Sequence, residues 1–118
     1  MKIIGQTARI DFEEYAGDTL AVRLAYADTT GNINLTGSTI TAVVVDPATS
    51  TSLLTYSTTA GTIVTTGTDY NIVFDITASQ TAQIGAANYL YYVKVQDSLG
   101  SVNTLITGIL TLKKRGVL

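Results

Sequence analysis

The sequence predicts an all-β sandwich, and three observations lead there. Short runs alternate apolar and polar side chains, the two-residue period of strands with one buried face. Clusters of Gly, Asp, Asn and Thr, the residues that make turns, punctuate those runs at regular spacing. One segment only, Thr77 to Gly85, breaks the alternation with a helix signature.

In chain order, Ala8 to Glu13 alternates with Ile10 and Phe12 on one face, and Glu13 to Asp18 is a turn. Thr19 to Tyr26 sets Leu20, Val22, Leu24 and Tyr26 against Thr19, Ala21, Arg23 and Ala25. Asp28 to Asn32 is a loop of turn formers, and Ile33 and Leu35 tuck inward before Thr36-Gly37. Ser38 to Val45 is β-branched at nearly every position, as in a central strand covered on both faces. Pro47 closes it, because proline cannot donate to a ladder. Leu53 to Tyr56 reads as a short strand near an edge, and Ile63-Val64 as a brief one in a polar stretch. Tyr70 to Ile76 alternates again, with Tyr70, Ile72, Phe74 and Ile76 inward.

Thr77 and Gln80 have the spacing of a capping box, in which each side chain satisfies a backbone N–H at a helix start. Gly85 suits the stop. One or two helical turns, near 78–84, then cross from one sheet to the other with Ile84 packing underneath. The last elements are a hairpin. Tyr89, Tyr91, Val93 and Val95 face inward, Leu90, Tyr92, Lys94 and Gln96 outward, and Asp97-Ser98-Leu99-Gly100 turns into a second apolar strand. Asp suits the first position of such a turn and Gly the last. About seven strands with one short helical crossover make the pattern of an immunoglobulin-like antiparallel β-sandwich. A small Greek-key barrel is the alternative.

With 118 residues the chain is one domain, 1–118, with room for a core and with extended N-terminal (1–6) and C-terminal (113–118) arms. Only 14% of its residues are charged, about half the usual share, which favours a subunit covered by neighbours, a homo-oligomer among them. The net charge of −2 argues against a nucleic-acid partner. No apolar run is long enough for a membrane span, and the N-terminus lacks a signal peptide's apolar region, so synthesis in a cytoplasm is expected.

The chemistry is sparse. Without His or Cys, the usual general base, thiolate nucleophile and zinc ligands are gone. No catalytic residue, cofactor site or metal site is assigned. Asp11 and Glu13 share a strand face, about 7 Å apart by strand rise, and could pair as a dyad or bind Ca²⁺; a solvated outer face explains them more simply. Asp28, Asp46 and Asp97 stand at turns, where bonds from side chain to backbone account for them.

Candidate interface residues are Tyr15, Tyr56 and Tyr92, as aromatics outside the inward phase that holds Tyr70, Tyr89 and Tyr91. The arms add Ile3 and Ile4 at one end, and Lys113, Lys114, Arg115, Val117 and Leu118 at the other. Such arms can add a strand to a neighbour's open sheet edge.

The order of motifs carries a resemblance. Gly17-Asp18-Thr19-Leu20 opens a strand, and Asp28 is followed by Gly31-Asn32-Ile33-Asn34-Leu35-Thr36-Gly37. Tyr70 to Ala82 and then Tyr89-x-Tyr91-x-Val93-x-Val95-x-Asp97-x-x-Gly100 complete it. This resembles the immunoglobulin-like β-sandwich modules of tailed-bacteriophage virion proteins, including N-terminal modules of baseplate upper proteins and fibre-attachment proteins, over roughly Ala16 to Leu112. Asn34 and Asn88 depart from the residues usual there, Asp at the first and Gly or Arg at the second, so no attachment point carries over. The resemblance implies a non-enzymatic structural subunit of a phage particle, in the tail, baseplate, neck or capsid decoration. Its partners would be other virion proteins and itself, and its place the virion after synthesis in the host cytoplasm. A host-surface or polysaccharide-binding module using exposed tyrosines is the alternative.

Overall fold

A computed structural model describes the backbone of residues 2–4, 8–28, 31–65 and 70–114. Among these residues lie ten strands and one helix: β1 (Lys2–Ile4), β2 (Ala8–Arg9), β3 (Phe12–Tyr15), β4 (Leu20–Asp28), β5 (Gly31–Asn32), β6 (Thr39–Val45), β7 (Ser52–Ser57), β8 (Ile72–Ile76), α1 (Ala78–Ile84), β9 (Ala87–Gln96) and β10 (Val102–Lys113). β1, β2 and β5 are fragments of two or three residues, leaving seven strands of four or more. That is the number expected from the spacing.

The strands make two open sheets, not a barrel. The six-stranded sheet runs β10–β9–β6–β7, with β2 and β3 side by side along β10's other edge. The four-stranded sheet is built on β4, whose first half pairs with β8 and whose second half lies between β1 and β5. The chain switches sheets between β1 and β2, β3 and β4, β5 and β6, and β7 and β8, and again through α1 between β8 and β9. These crossings give the immunoglobulin-like sandwich.

The helix starts where the capping box predicts. Thr77 Oγ1 accepts from the Gln80 backbone N–H at 3.2 Å, and Gln80 Oε1 accepts from the Thr77 N–H at 3.1 Å. Thr81, fully buried, fixes the helix to the turn before β4. Its Oγ1 accepts from the Gly17 N–H and lies 2.8 Å from the Asp18 carbonyl, to which it can donate. Asp97 holds the last hairpin as expected, its carboxylate accepting from the N–H groups of Leu99 and Ser101.

The core lies between the sheets. Val22, Leu24, Ile72 and Phe74 meet Ile40, Val44, Val93 and Leu110 across it, all buried. The space left at its centre is about 10 Å³ and wholly apolar, too small and too dry to hold a ligand.

Two expectations about β-phase need correction. Tyr70, expected inward, is 43% exposed, because the chain bends before β8: Asn71 and Ile72 are buried in succession and the alternation restarts. The Asn71 carboxamide replaces a strand neighbour for Tyr26, accepting from its N–H at 2.7 Å and donating to its carbonyl at 2.8 Å. For the same reason β4 loses its alternation at the far end, where Ala27 rather than Tyr26 is fully buried.

Candidate interaction surface

β9 and β10 form the centre of the six-stranded sheet, and alternation sends every second side chain to its outer face. Register then assembles a row that no single strand reveals. Ile109 of β10 stands opposite Leu90 of β9, and Leu90 opposite Val45 of β6. The next row is Thr107, Tyr92, Val43 and, on β7, Thr55. Leu90 is 48% exposed, while Ile109, Val45 and Tyr92 are half-buried against their neighbours. The result is an apolar patch on a sheet face that the core does not need.

The rim towards β3 carries charge, but it is paired. Arg9 Nε lies 3.5 Å from Asp11 Oδ1, and Lys113 Nζ 3.4 Å from Glu13 Oε2. Asp11 and Glu13 thus point to cations of their own rather than to each other. Asp11 also accepts from the Ile109 N–H at 2.9 Å. Towards the other end of β9, Lys94 has no carboxylate partner among the described residues and rests over the Tyr92 ring, 4.6 Å from its centroid.

Of the expected interface residues, Tyr92 faces outward as predicted. Tyr15 is exposed at the end of β3, with Lys113 Nζ 5.2 Å from its ring centroid. Each of these two rings therefore carries an ammonium over one face, while Tyr70 is also exposed.

Tyr56 was expected at the surface but is only 4% exposed. Both phases of Leu53 to Tyr56 offer a leucine, and a bulge where β7 meets the end of β6 settles the phase with Tyr56 inward. Its ring stacks on Phe74 across the sandwich at 5.2 Å, and its hydroxyl donates to Gln80 Oε1 at 2.6 Å. Lys113 ends β10, Lys114 is exposed, and Ile3 and Ile4 stand in β1, paired with the chain's own β4. Arg115, Val117 and Leu118 lie outside the described residues.

The sequence reading missed a lock beneath this surface. At Ile10 the chain between β2 and β3 points its carbonyl at Gly108, so closely that a Cβ there would sit 1.9 Å from the oxygen. The Tyr91 hydroxyl donates to that same carbonyl. Glycine on β10 thus admits a backbone carbonyl into the core, and the tyrosine opposite satisfies it. Burial, with a smaller contribution from Asp11, pushes the Tyr91 phenol well above its ordinary pKa of 10.0. Burial alone raises Tyr56 to about 12. A glycine opposite a tyrosine inside two apolar strands was the available signal.

No other place gathers chemistry. An open concavity of about 510 Å³ lies between Pro47, Leu53, Ile84 and Asn88. Two of its polar groups are already engaged: the Asp46 carboxylate accepts from the Ala48 N–H, and the Tyr89 hydroxyl lies 2.6 Å from the Ile84 carbonyl and 2.8 Å from that of Gly85. Among the described residues no three acidic side chains gather where a metal could bind, and every buried side-chain nitrogen or oxygen has a partner.

No family model matches the sequence, and no curated protein does. Among the solved structures similar to the chain are CopC and CRIg. CopC from Methylosinus trichosporium OB3b is 10% identical, with a TM-score of 0.48 over 97% of this chain and 90% of that one. Murine CRIg is 14% identical, with a TM-score of 0.44 over 95% of this chain and 94% of that one. Likenesses this distant do not bear on what the chain binds or does.

Proposed function

We propose that the chain is a non-enzymatic structural subunit of a tailed-bacteriophage particle, held there by protein–protein contacts. The observation that carries a contact role is the outward row of exposed Leu90 between half-buried Ile109 and Val45, on a sheet face of a chain with 14% charged residues. A protein that worked alone in water would gain from polar residues there, since large exposed apolar patches mark interaction sites. The phage setting rests on the resemblance of the Gly17 to Gly100 motifs. The partners in this reading are other virion proteins and further copies, assembled after synthesis in the host cytoplasm. The alternative, a polysaccharide-binding module, has less support, because Tyr56 is buried and a lysine lies over each of the Tyr15 and Tyr92 rings, which leaves Tyr70 as the exposed tyrosine without one of these lysines.

The test is to band particles from the source on a density gradient and probe the fractions with antibody to this chain. Stoichiometric co-sedimentation is expected, and its loss from a chain lacking residues 114–118 would assign attachment to that arm. Protein found only in the soluble fractions contradicts the virion role.

A further inference from the structure

Resting on the contact reading above, we infer that the outer face of the six-stranded sheet pairs with the same face of a second copy, around the Ile109–Leu90–Val45 row. Three observations argue for a copy of this chain rather than a foreign partner. The first is charge. The rows through Leu90 and Tyr92 carry no charged side chain from β10 to β7. On the β3 rim, Arg9 with Asp11 and Lys113 with Glu13 cancel in pairs. A two-fold contact repeats every charge against its own kind, so a neutral centre with a self-cancelled rim suits it. Lys94, which has no carboxylate partner among the described residues, is seated on its own Tyr92 ring.

The second is area. β9 and β10 pair along ten residues, β6 has seven, β7 six and the β2–β3 edge spans eight, so at about 3.3 Å by 4.8 Å per residue the face covers roughly 650 Å². That lies within what each partner buries in an interface of standard size, about 600–1,000 Å² a side. The third is shape. Branched side chains such as Leu90, Ile109 and Val45 are of the kind that already pack between the two sheets, and sheets of this kind stack face to face about 10 Å apart. The dimer is then a four-layered stack with Leu90 at its middle, an apolar centre with a polar rim.

Sedimentation equilibrium of the whole chain tests this. A dimer is expected, with a dissociation constant of about 10 μM or tighter. That constant should change less than about threefold between low and high salt, because no ion pair crosses the centre. Leu90→Glu should weaken pairing by about a hundredfold or more, since a two-fold contact buries the new charge twice. Ile109→Thr, which keeps a β-branched residue on the strand, should weaken it about tenfold and serves if the first variant fails to fold. Ala82→Glu, on the exposed side of α1, should pair like the parent.

A parent chain that stays monomeric at about 100 μM, or folded Leu90 and Ile109 variants that pair as tightly as the parent, overturns the inference. Monomers that still band with particles would overturn self-pairing alone, and the face would then belong to a different virion protein. Dimers that never band with particles would overturn the virion role and leave self-pairing standing.

Discussion

The two sheets turn different outer faces to solvent. On the four-stranded sheet, Ala21, Ala25 and Val73 surround Arg23, whose guanidinium lies 2.9 Å from the Asp75 carboxylate on β8, and Val64 is exposed beside Val73. Small side chains around an exposed ion pair are what a solvated face needs, and the pair itself contributes little, about 0–1 kcal/mol. On the six-stranded sheet the same positions hold Leu90, Ile109, Val45 and Tyr92. Strand propensity tolerates both choices, so the fold does not require the second. The difference separates two uses of apolar residues in one strand: Tyr91, Val93 and Val95 of β9 build the core, while Leu90 and Tyr92 are available for contact.

That separation can be broken or sharpened by substitution. The largest effect belongs to Gly108→Ala, where a methyl would collide with the Ile10 carbonyl and expel it from the Tyr91 hydroxyl. A loss of about 4 kcal/mol is expected in urea unfolding, from overpacking against backbone together with a broken buried hydrogen bond. Leu110→Ala, at a position 1% exposed beside that lock, should cost about 3 kcal/mol by leaving a cavity. Tyr91→Phe should cost about 2 kcal/mol, because the Ile10 carbonyl loses its donor. Tyr92→Phe, one residue along and on the other face, should change stability by less than about 0.5 kcal/mol. Equal losses for the two tyrosines would erase the distinction between the faces.

The same fold predicts a pH dependence that appears in alkali. The fold favours the neutral phenol of Tyr56, raised from 10.0 to about 12 by burial. Its stabilisation is therefore complete below pH 10.0 and is lost as the pH rises from there through about 12. Tyr91, shifted in the same direction, adds to the loss. Thermal melting should be flat from neutrality to the foot of that window and fall within it. The fall should be shallower in Tyr56→Phe.

Periodic segments of this fold were legible in the sequence, and breaks in period were not. The alternation of β9, the Thr77–Gln80 box and the Asp97 turn each rest on local chemistry, and each stands where the residues indicate. Tyr56 and Tyr70 exchange their expected places because a bulge and a bend reset the phase, and both depend on partners distant in sequence. The contact row was half legible. Leu90 and Tyr92 share the outward phase of one strand, but Ile109, Val45 and Val43 join them only through register across β10 and β6. The Ile10 carbonyl over Gly108 is a backbone approach whose one trace in the sequence is a glycine opposite a tyrosine within two apolar strands.

The central claim is that the outer row serves contact and not folding. Its most direct test is urea unfolding of Leu90→Glu, at a protein concentration low enough that the parent chain is monomeric, so that pairing does not add to its apparent stability. The account predicts a loss within about 1 kcal/mol, the spread of strand preferences on an open face. A loss of about 3 kcal/mol or more, the size expected for Leu110→Ala, would make Leu90 a core residue and contradict it.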